Sequence, residues 1–288
     1  MMERVAIVGT GLIGASVGLA LREAGFAGEI AGWDRQREEA QTAFDRGALT
    51  AVTDDPEGAA RGSDVIVLAT PVLGVLDWME RLAPALAAGQ LLTDVGSTKR
   101  EIAAAARRLY PRKSEGTPVG AEFLPGHPMA GKERGGAALA EAGLFRGAMW
   151  LFTPVDAERT AARDEWRSWV ERFGARTLDM DAARHDEMCA WVSHLPQMLS
   201  TAFAAMLEER FGDAPEMGAI GGRALREIAR LGASPYSMWR DVAMTNTEAI
   251  AGSLLAFEQE LAHVRENLRT PELREEFLRA NRFRSRRD

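Results

Sequence analysis

The chain has 288 residues, of which 46% are apolar and 27% charged, and its net charge is −7. This balance excludes a disordered, collagen-like or disulfide-stapled chain, and a pI of about 5.4 argues against a nucleic-acid surface. At roughly 150 residues per domain the length predicts two domains, and no apolar run approaches the roughly 18 residues of a membrane span.

Residues 5–8 form an apolar, β-branched run with no basic segment before it, so no signal peptide is expected. Similar runs at 29–33, 64–69 and 91–95 alternate with helical stretches such as 15–24 and 35–46. Continuous apolar strands with intervening helices predict an α/β domain, its parallel sheet covered on both faces. Residues 150–152 read as its last strand. Residues 1–147 hold 21 of the 28 glycines, so the first part is rich in tight turns and the rest is built of longer helices. The boundary is expected near 153–156, giving domains 1–155 and 156–288.

In the second domain Asp156 is predicted to cap a helix to about Phe173, and Asp181 a longer one to about Phe211. Pro196 should kink or divide the latter. Two more helices are expected over 215–231 and 235–267. The tail arginines Arg279, Arg282, Arg284, Arg286 and Arg287 read as a solvated tail or as a site for an acidic partner. The lone Cys189 has helical flanks, reads as a packed thiol and fits a reducing cytoplasm.

Gly9-Thr10-Gly11-Leu12-Ile13-Gly14 follows the first strand and opens a helix. Asp34 ends the next strand, 20 residues after Gly14. This is the context that binds a dinucleotide. Gly9 allows a tight turn, Gly11 lets a pyrophosphate approach the backbone, and Gly14 allows close helix–strand packing. The helix N-terminus offers free N–H groups to phosphate. Asp34 can accept from both ribose hydroxyls and would repel a 2′-phosphate, which favours NAD over NADP, although the neighbouring Arg35 can tolerate that phosphate. Thr70 and Pro71, at another strand end, either line the dinucleotide or form a plain loop.

Ser97 and Lys99 follow a third strand end and offer donors near a nicotinamide. Ser97 equally fits the N-cap of a helix over 100–110. His127 lies in Pro125-Gly126-His127-Pro128-Met129-Ala130-Gly131, a composition that predicts a rigid loop rather than a helix or strand. An imidazole presented this way suits a general base near neutral pH. His194 sits beside Pro196, either facing the interdomain cleft or capping freed backbone groups. His185 lies in a polar stretch with Asp186 and Glu187, and His263 is isolated. No His or Cys spacing suggests a metal site. Arg223, Arg226 and Arg230 recur at helical spacing, as a solvated face paired with Glu227 or as a grip for a dianionic substrate.

Taken together, Gly9–Gly14 with Asp34, Asp94–Lys99, the His-Pro-Met-Ala-Gly loop, His185-Asp186, Ser193-His194-Leu195-Pro196, residues 226–230 and Met238-Trp239-Arg240-Asp241 resemble the prephenate and arogenate dehydrogenases of tyrosine biosynthesis. The resemblance spans about residues 4–260. It implies a homodimer with a Rossmann-type NAD domain and a helical dimerisation domain, the active site lying between them. It implies His127 as the catalytic histidine on the substrate's ring hydroxyl, and Ser97 as the group orienting it and the nicotinamide. It implies Arg230 as the carboxylate anchor, with Arg226, Glu133 and Trp239 around the pocket entrance. The implied reaction is oxidative decarboxylation with aromatisation.

Two positions depart from the family pattern. Gln197 stands where many prephenate-using members carry a second histidine, near the expected substrate side chain. Lys132 stands where smaller residues are common, and it either reaches a substrate carboxylate or faces water. The short segment after the last expected helix leaves no room for an appended regulatory domain, so any feedback by tyrosine is expected at the active site. Two rival readings make different demands on the chain. A 3-hydroxyacid-type dehydrogenase would need a catalytic lysine on the first long helix of the second domain, but no lysine follows Lys132. A non-catalytic NAD sensor would tolerate loss of His127.

Overall fold

The computed structural model describes residues 2–111 and 120–286. Arg287 of the basic tail lies outside the described residues. The first layer begins β1 (Arg4–Val8), α1 (Leu12–Glu23), β2 (Glu29–Trp33), α2 (Arg37–Asp45), β3 (Ala51–Val52) and α3 (Pro56–Ala60). It continues β4 (Val65–Leu68), α4 (Val72–Leu82), β5 (Leu91–Asp94), α5 (Arg100–Leu109) and β6 (Glu122–Leu124). These strands form one parallel sheet in the order β3-β2-β1-β4-β5-β6, the doubly wound arrangement of dinucleotide-binding folds.

Alternation along each strand divides the core in two. Val5, Ile7, Val65, Val67 and Leu91 pack on one face. Ala6, Val8, Ile66, Leu68 and Leu92 pack on the other. Both faces are buried, which explains why the strands read as continuous apolar runs. The direction of strand addition reverses between β1 and β4, and a crevice opens at their carboxyl ends.

Next come β7 (Gly126–Pro128), β8 (Met149–Phe152), α6 (Ala161–Arg172) and β9 (Arg176–Asp179). Strands β7, β8 and β9 form a second, three-stranded sheet, so residues 150–152 do not extend the parallel sheet. His127 is therefore in a strand and not in a loop, paired opposite Leu151. Pro128 is tolerated because it falls between hydrogen-bonded pairs of the antiparallel ladder, where no N–H is required.

Helix α6 begins after Thr160, whose side chain accepts from Arg163 N–H. Asp156 is not the cap, because its carboxylate is held by the Arg163 guanidinium at 2.6 Å. Trp166, Trp169, Val170 and Phe173 pack into the same core as Val5 and Ile7. The expected boundary at 155 therefore falls inside the first layer, and the change to an all-helical region comes at Met180–Asp181. The signal that misled was a helix after residue 155, which the second sheet draws back onto the first domain.

The helical region comprises α7 (Ala182–Cys189), α8 (Leu195–Phe211), α9 (Pro215–Ile220), α10 (Arg223–Ala229), α11 (Tyr236–Thr245), α12 (Thr247–Glu266) and α13 (Glu272–Ser285). Asp181 caps α7 through Ala183 N–H and Arg184 N–H. A π-helical segment, Ala190–His194, separates α7 from α8. Pro196 cannot donate to the preceding turn, so the helix divides there, and such widened turns often sit at functional sites. The basic tail is helical, and Arg279 pairs with Glu276 and Glu260. Among the described residues no helix is long and apolar enough to cross a membrane.

Two helix N-termini of the first layer are capped by carboxylates of the helical region. Asp186 accepts from Lys99 N–H (2.7 Å) and Arg100 N–H (2.8 Å) at the start of α5. Asp241 accepts from Leu73 N–H (3.2 Å) at the start of α4. Thr98 and Thr245 share a hydroxyl hydrogen bond of 2.7 Å beside them. Each carboxylate meets orphan N–H groups and the positive end of a helix dipole, so the two regions dock by charge as well as by packing.

Candidate active site

A cavity of about 570 Å³ lies between the carboxyl ends of the parallel sheet and the helical region. Leu12, Ile13, Thr70, Pro71 and Ser97 line it from the first side. His127 and residues 128–133 close its floor, and His194, Gln197, Arg230 and Trp239 line it from the helices.

The glycine loop fits a pyrophosphate on the geometry of this chain. Gly9 has φ +94°, and a Cβ there would lie 2.7 Å from the backbone of Ala69. A Cβ on Gly14 would lie 2.0 Å from the Gly9 carbonyl oxygen. Gly11 instead faces open space, with nothing within 4 Å, which is the approach a diphosphate requires. Thr70 Oγ1, beside the loop, is buried without a partner. Asp34 stands beside the loop and accepts from Thr10 N–H (2.7 Å) and Gln36 N–H (2.9 Å). Arg35 is exposed and lies off the cavity.

His127 is buried and its Nδ1 lies 2.9 Å from Nε2 of His185. His185 Nδ1 lies 2.8 Å from Asp186 Oδ1. No hydrogen bond joins Ser97 to His127; Ser97 lines the cavity without capping α5, since Asp186 takes that part. Burial first, then the charges of His185, Lys99 and His194, holds the His127 imidazole well below its ordinary pKa. It is therefore neutral near pH 7 and able to accept a proton.

Lys99 does not reach the cavity as a donor. It is wholly buried and paired with Asp94, whose carboxylate also accepts from Gly96 N–H and Gly126 N–H. Burial lowers the Lys99 pKa and raises that of Asp94, while their mutual attraction opposes both shifts. This pair ties the Ser97 loop to the strand carrying His127.

His127, His185 and Cys189 are 58 and four residues apart along the chain, yet their side-chain donor atoms lie within 4.8 Å of one another. Folding assembles this cluster, so residue spacing gives no sign of it. The 2.9 Å between the two imidazole nitrogens is a hydrogen-bond length. Two nitrogens about 2.0 Å from a tetrahedral ion would stand about 3.3 Å apart. The Cys189 thiol, 3.6 Å from the same His185 nitrogen, is pushed up to about 12 by burial and stays protonated.

On the helical side, His194 Nδ1 contacts Asn246 at 3.2 Å, and its ring meets Trp239 edge-on at 5.9 Å. His194 Nε2 and Trp239 Nε1 are both buried without partners. Arg230 pairs with Glu133 at the cavity edge. Arg226 lies off the cavity and donates to Gly221 O at 3.2 Å, because α10 ends at Ala229 and a 3-10 turn, Arg230–Ala233, redirects the chain. Arg223 pairs with Glu227. Lys132 lines the cavity, but its ammonium is held by Glu141 (2.6 Å) and Leu139 O (2.8 Å).

Gln197 is satisfied within the protein. Its amide donates to Leu231 O (2.7 Å) and Thr201 Oγ1 (3.1 Å), and its oxygen accepts from Ser234 (3.1 Å). It ties α8 to the turn that carries Arg230. Sequence reasoning missed the work of Asp186, Asp241, Asp94 and Asn246. The available signal was polar residues at positions where helix or strand periodicity demands apolar ones.

Burial of His194 lowers its pKa to about 4. Its unfolded value is about 6.5, so below that pH the unfolded chain binds the extra proton and stability falls as pH drops towards 4. The loss amounts to about 3 kcal/mol. Urea unfolding at pH 7 and pH 4 should show a loss smaller by about this amount in His194→Gln than in the unaltered protein, since the buried His127 and His185 contribute to both. Equal pH dependence of the two would refute the assignment.

A family model described as the prephenate dehydrogenase nucleotide-binding domain matches residues 17–179, and one described as the dimerization domain matches 181–282. The chain is 30% identical over 264 residues to a prephenate dehydrogenase of Lactococcus lactis, covering 91% of this chain and 70% of that protein. It superposes on A. aeolicus prephenate dehydrogenase, solved in complex with hydroxyphenyl propionate and NAD+, with a TM-score of 0.88 at 27% identity, covering 100% and 99% of the two chains. A Synechocystis arogenate dehydrogenase aligns with a TM-score of 0.78 at 29% identity, over 99% and 100%.

Proposed function

The chain belongs to the prephenate dehydrogenase family, and from that premise we propose that it catalyses the NAD-dependent oxidative decarboxylation of prephenate, or of its amino analogue arogenate. The observation that carries this reading is a buried His127 in a cavity with a glycine loop on one side and Arg230 on the other. We place NAD on Gly9–Gly14, with Asp34 toward the ribose and Thr70 and Ser97 along the crevice. When bound, NAD supplies the acceptor for the hydride that leaves ring C4.

The chain's own residues supply the rest. His127 Nε2 draws the proton of the ring hydroxyl as the C4–H bond breaks. Loss of the ring carboxylate as carbon dioxide provides the electron pair that completes the aromatic ring. The site must favour that delocalising ring over the bound substrate. Arg230 anchors a substrate carboxylate by two-point binding, taking it in exchange for Glu133. Trp239 and His194 line the same space, and each holds a buried nitrogen without a partner. The exposed Ile220, Ile228, Tyr236 and Phe277 of the helical region, with its match to a dimerization domain, support a homodimer.

The test is NADH formation with prephenate and with arogenate, separately, under matched conditions. Activity with either supports the reading, and the ratio of kcat/KM assigns the ring substrate. Silence with both while NAD binds would move the protein to a sensor role or a different hydroxyacid. Asp34→Ala should abolish the preference for NAD over NADP, since the carboxylate that repels a 2′-phosphate is gone. Equal use of both cofactors by the unaltered protein would refute that role.

A further inference from the structure

Two contacts run in line from the N-terminus of α5 to the cavity, Asp186 to His185 and His185 to His127. Asp186 receives Lys99 N–H, Arg100 N–H and His185 Nδ1, three donors converging on one carboxylate. His185 Nδ1 therefore carries the ring hydrogen, and its Nε2 is left with a lone pair. That lone pair must accept from His127, so the His127 hydrogen sits on Nδ1. The His127 nitrogen left to the cavity is then Nε2, without a hydrogen.

We infer that His185 and Asp186 are positioning residues that fix His127 in the tautomer whose Nε2 is the free base. The inference rests on the reading of His127 as the base and adds the groups that orient it. His185 and Asp186 are fully buried, so water cannot replace either partner. Asp186 is also the cap that docks the helical region onto α5. The base is thereby set by the same carboxylate that joins the two regions, and it is competent only when they are docked.

The experiment has a kinetic arm and a spectroscopic arm. In His185→Leu, kcat falls by roughly a hundredfold, within the range general-base catalysis supplies, while KM and NAD affinity stay within about threefold. His185→Gln, whose amide oxygen can replace the Nε2 acceptor, recovers most of the loss. Nitrogen NMR of the His127 ring in the unaltered protein should place the hydrogen on Nδ1, and in His185→Leu should show that preference lost. A hydrogen on Nε2 in the unaltered protein overturns the proposal. So does an unchanged tautomer in His185→Leu, a loss confined to KM, or equal impairment of the Leu and Gln variants. Failure of the functional reading is distinguishable, because absent turnover of either ring substrate by the unaltered protein leaves the NMR arm intact.

Discussion

Replacing His127 by Asn should lower kcat/KM by about a thousandfold while NAD binding stays within about threefold. General-base catalysis contributes roughly 10²–10⁴-fold, and of the two cavity imidazoles only that of His127 is backed by a histidine–carboxylate pair, His185 and Asp186. Asn retains a side chain of similar reach but accepts no proton, so the loss isolates proton transfer from packing. The pH profile gives a second readout. The base acts unprotonated, so activity falls as pH drops through its pKa. Burial and the neighbouring charges depress that pKa, so the acid limb of kcat/KM lies below the ordinary imidazole range. In His127→Asn that limb should vanish. Turnover that survives the substitution would remove His127 from the chemistry.

The second large effect is expected at Arg230. Arg230→Ala should raise KM for the ring substrate about a hundredfold and change kcat only a few-fold. A two-point guanidinium–carboxylate contact is worth about 2–3 kcal/mol, and each 1.4 kcal/mol is about tenfold. The contact is made in the ground state and persists in the transition state, so its loss appears in KM. Glu133 pairs with the guanidinium at the cavity edge, and a substrate carboxylate would take the same place. Arg230→Lys should recover only part of the affinity, because an ammonium lacks the planar fork. An unchanged KM in Arg230→Ala would exclude the anchor.

Local chemistry carries far into this fold. The glycine loop, Asp34 and the buried strands are legible because each depends on neighbours within about 25 residues. A tight turn, a free helix terminus and an apolar run leave the same trace wherever they occur. The Asp181 cap and the division at Pro196 are legible for the same reason. Gln197 stood out only against a family pattern, and the structure gives it a different partner set from the one that pattern implies.

What tertiary structure alone decided are the long-range pairings. His127 reads as a loop residue until Met149–Phe152 supplies a strand to pair with it. Helix α6 reads as part of the second domain until its tryptophans meet the first core. Lys99 reads as a ligand donor until Asp94 and burial claim it. Asp186 and Asp241 stand out locally only as polar residues among apolar ones, and nothing local names their partners, because a carboxylate that caps another domain's helix has them 86 and 168 residues away. The sequence by itself determined the nucleotide crevice and singled out His127 as the candidate base, since periodicity and turn chemistry are local. The orientation of that base, the domain limit and the fate of each charge followed only from folding, since hydrogen bonds and ion pairs between distant segments depend on where the chain returns.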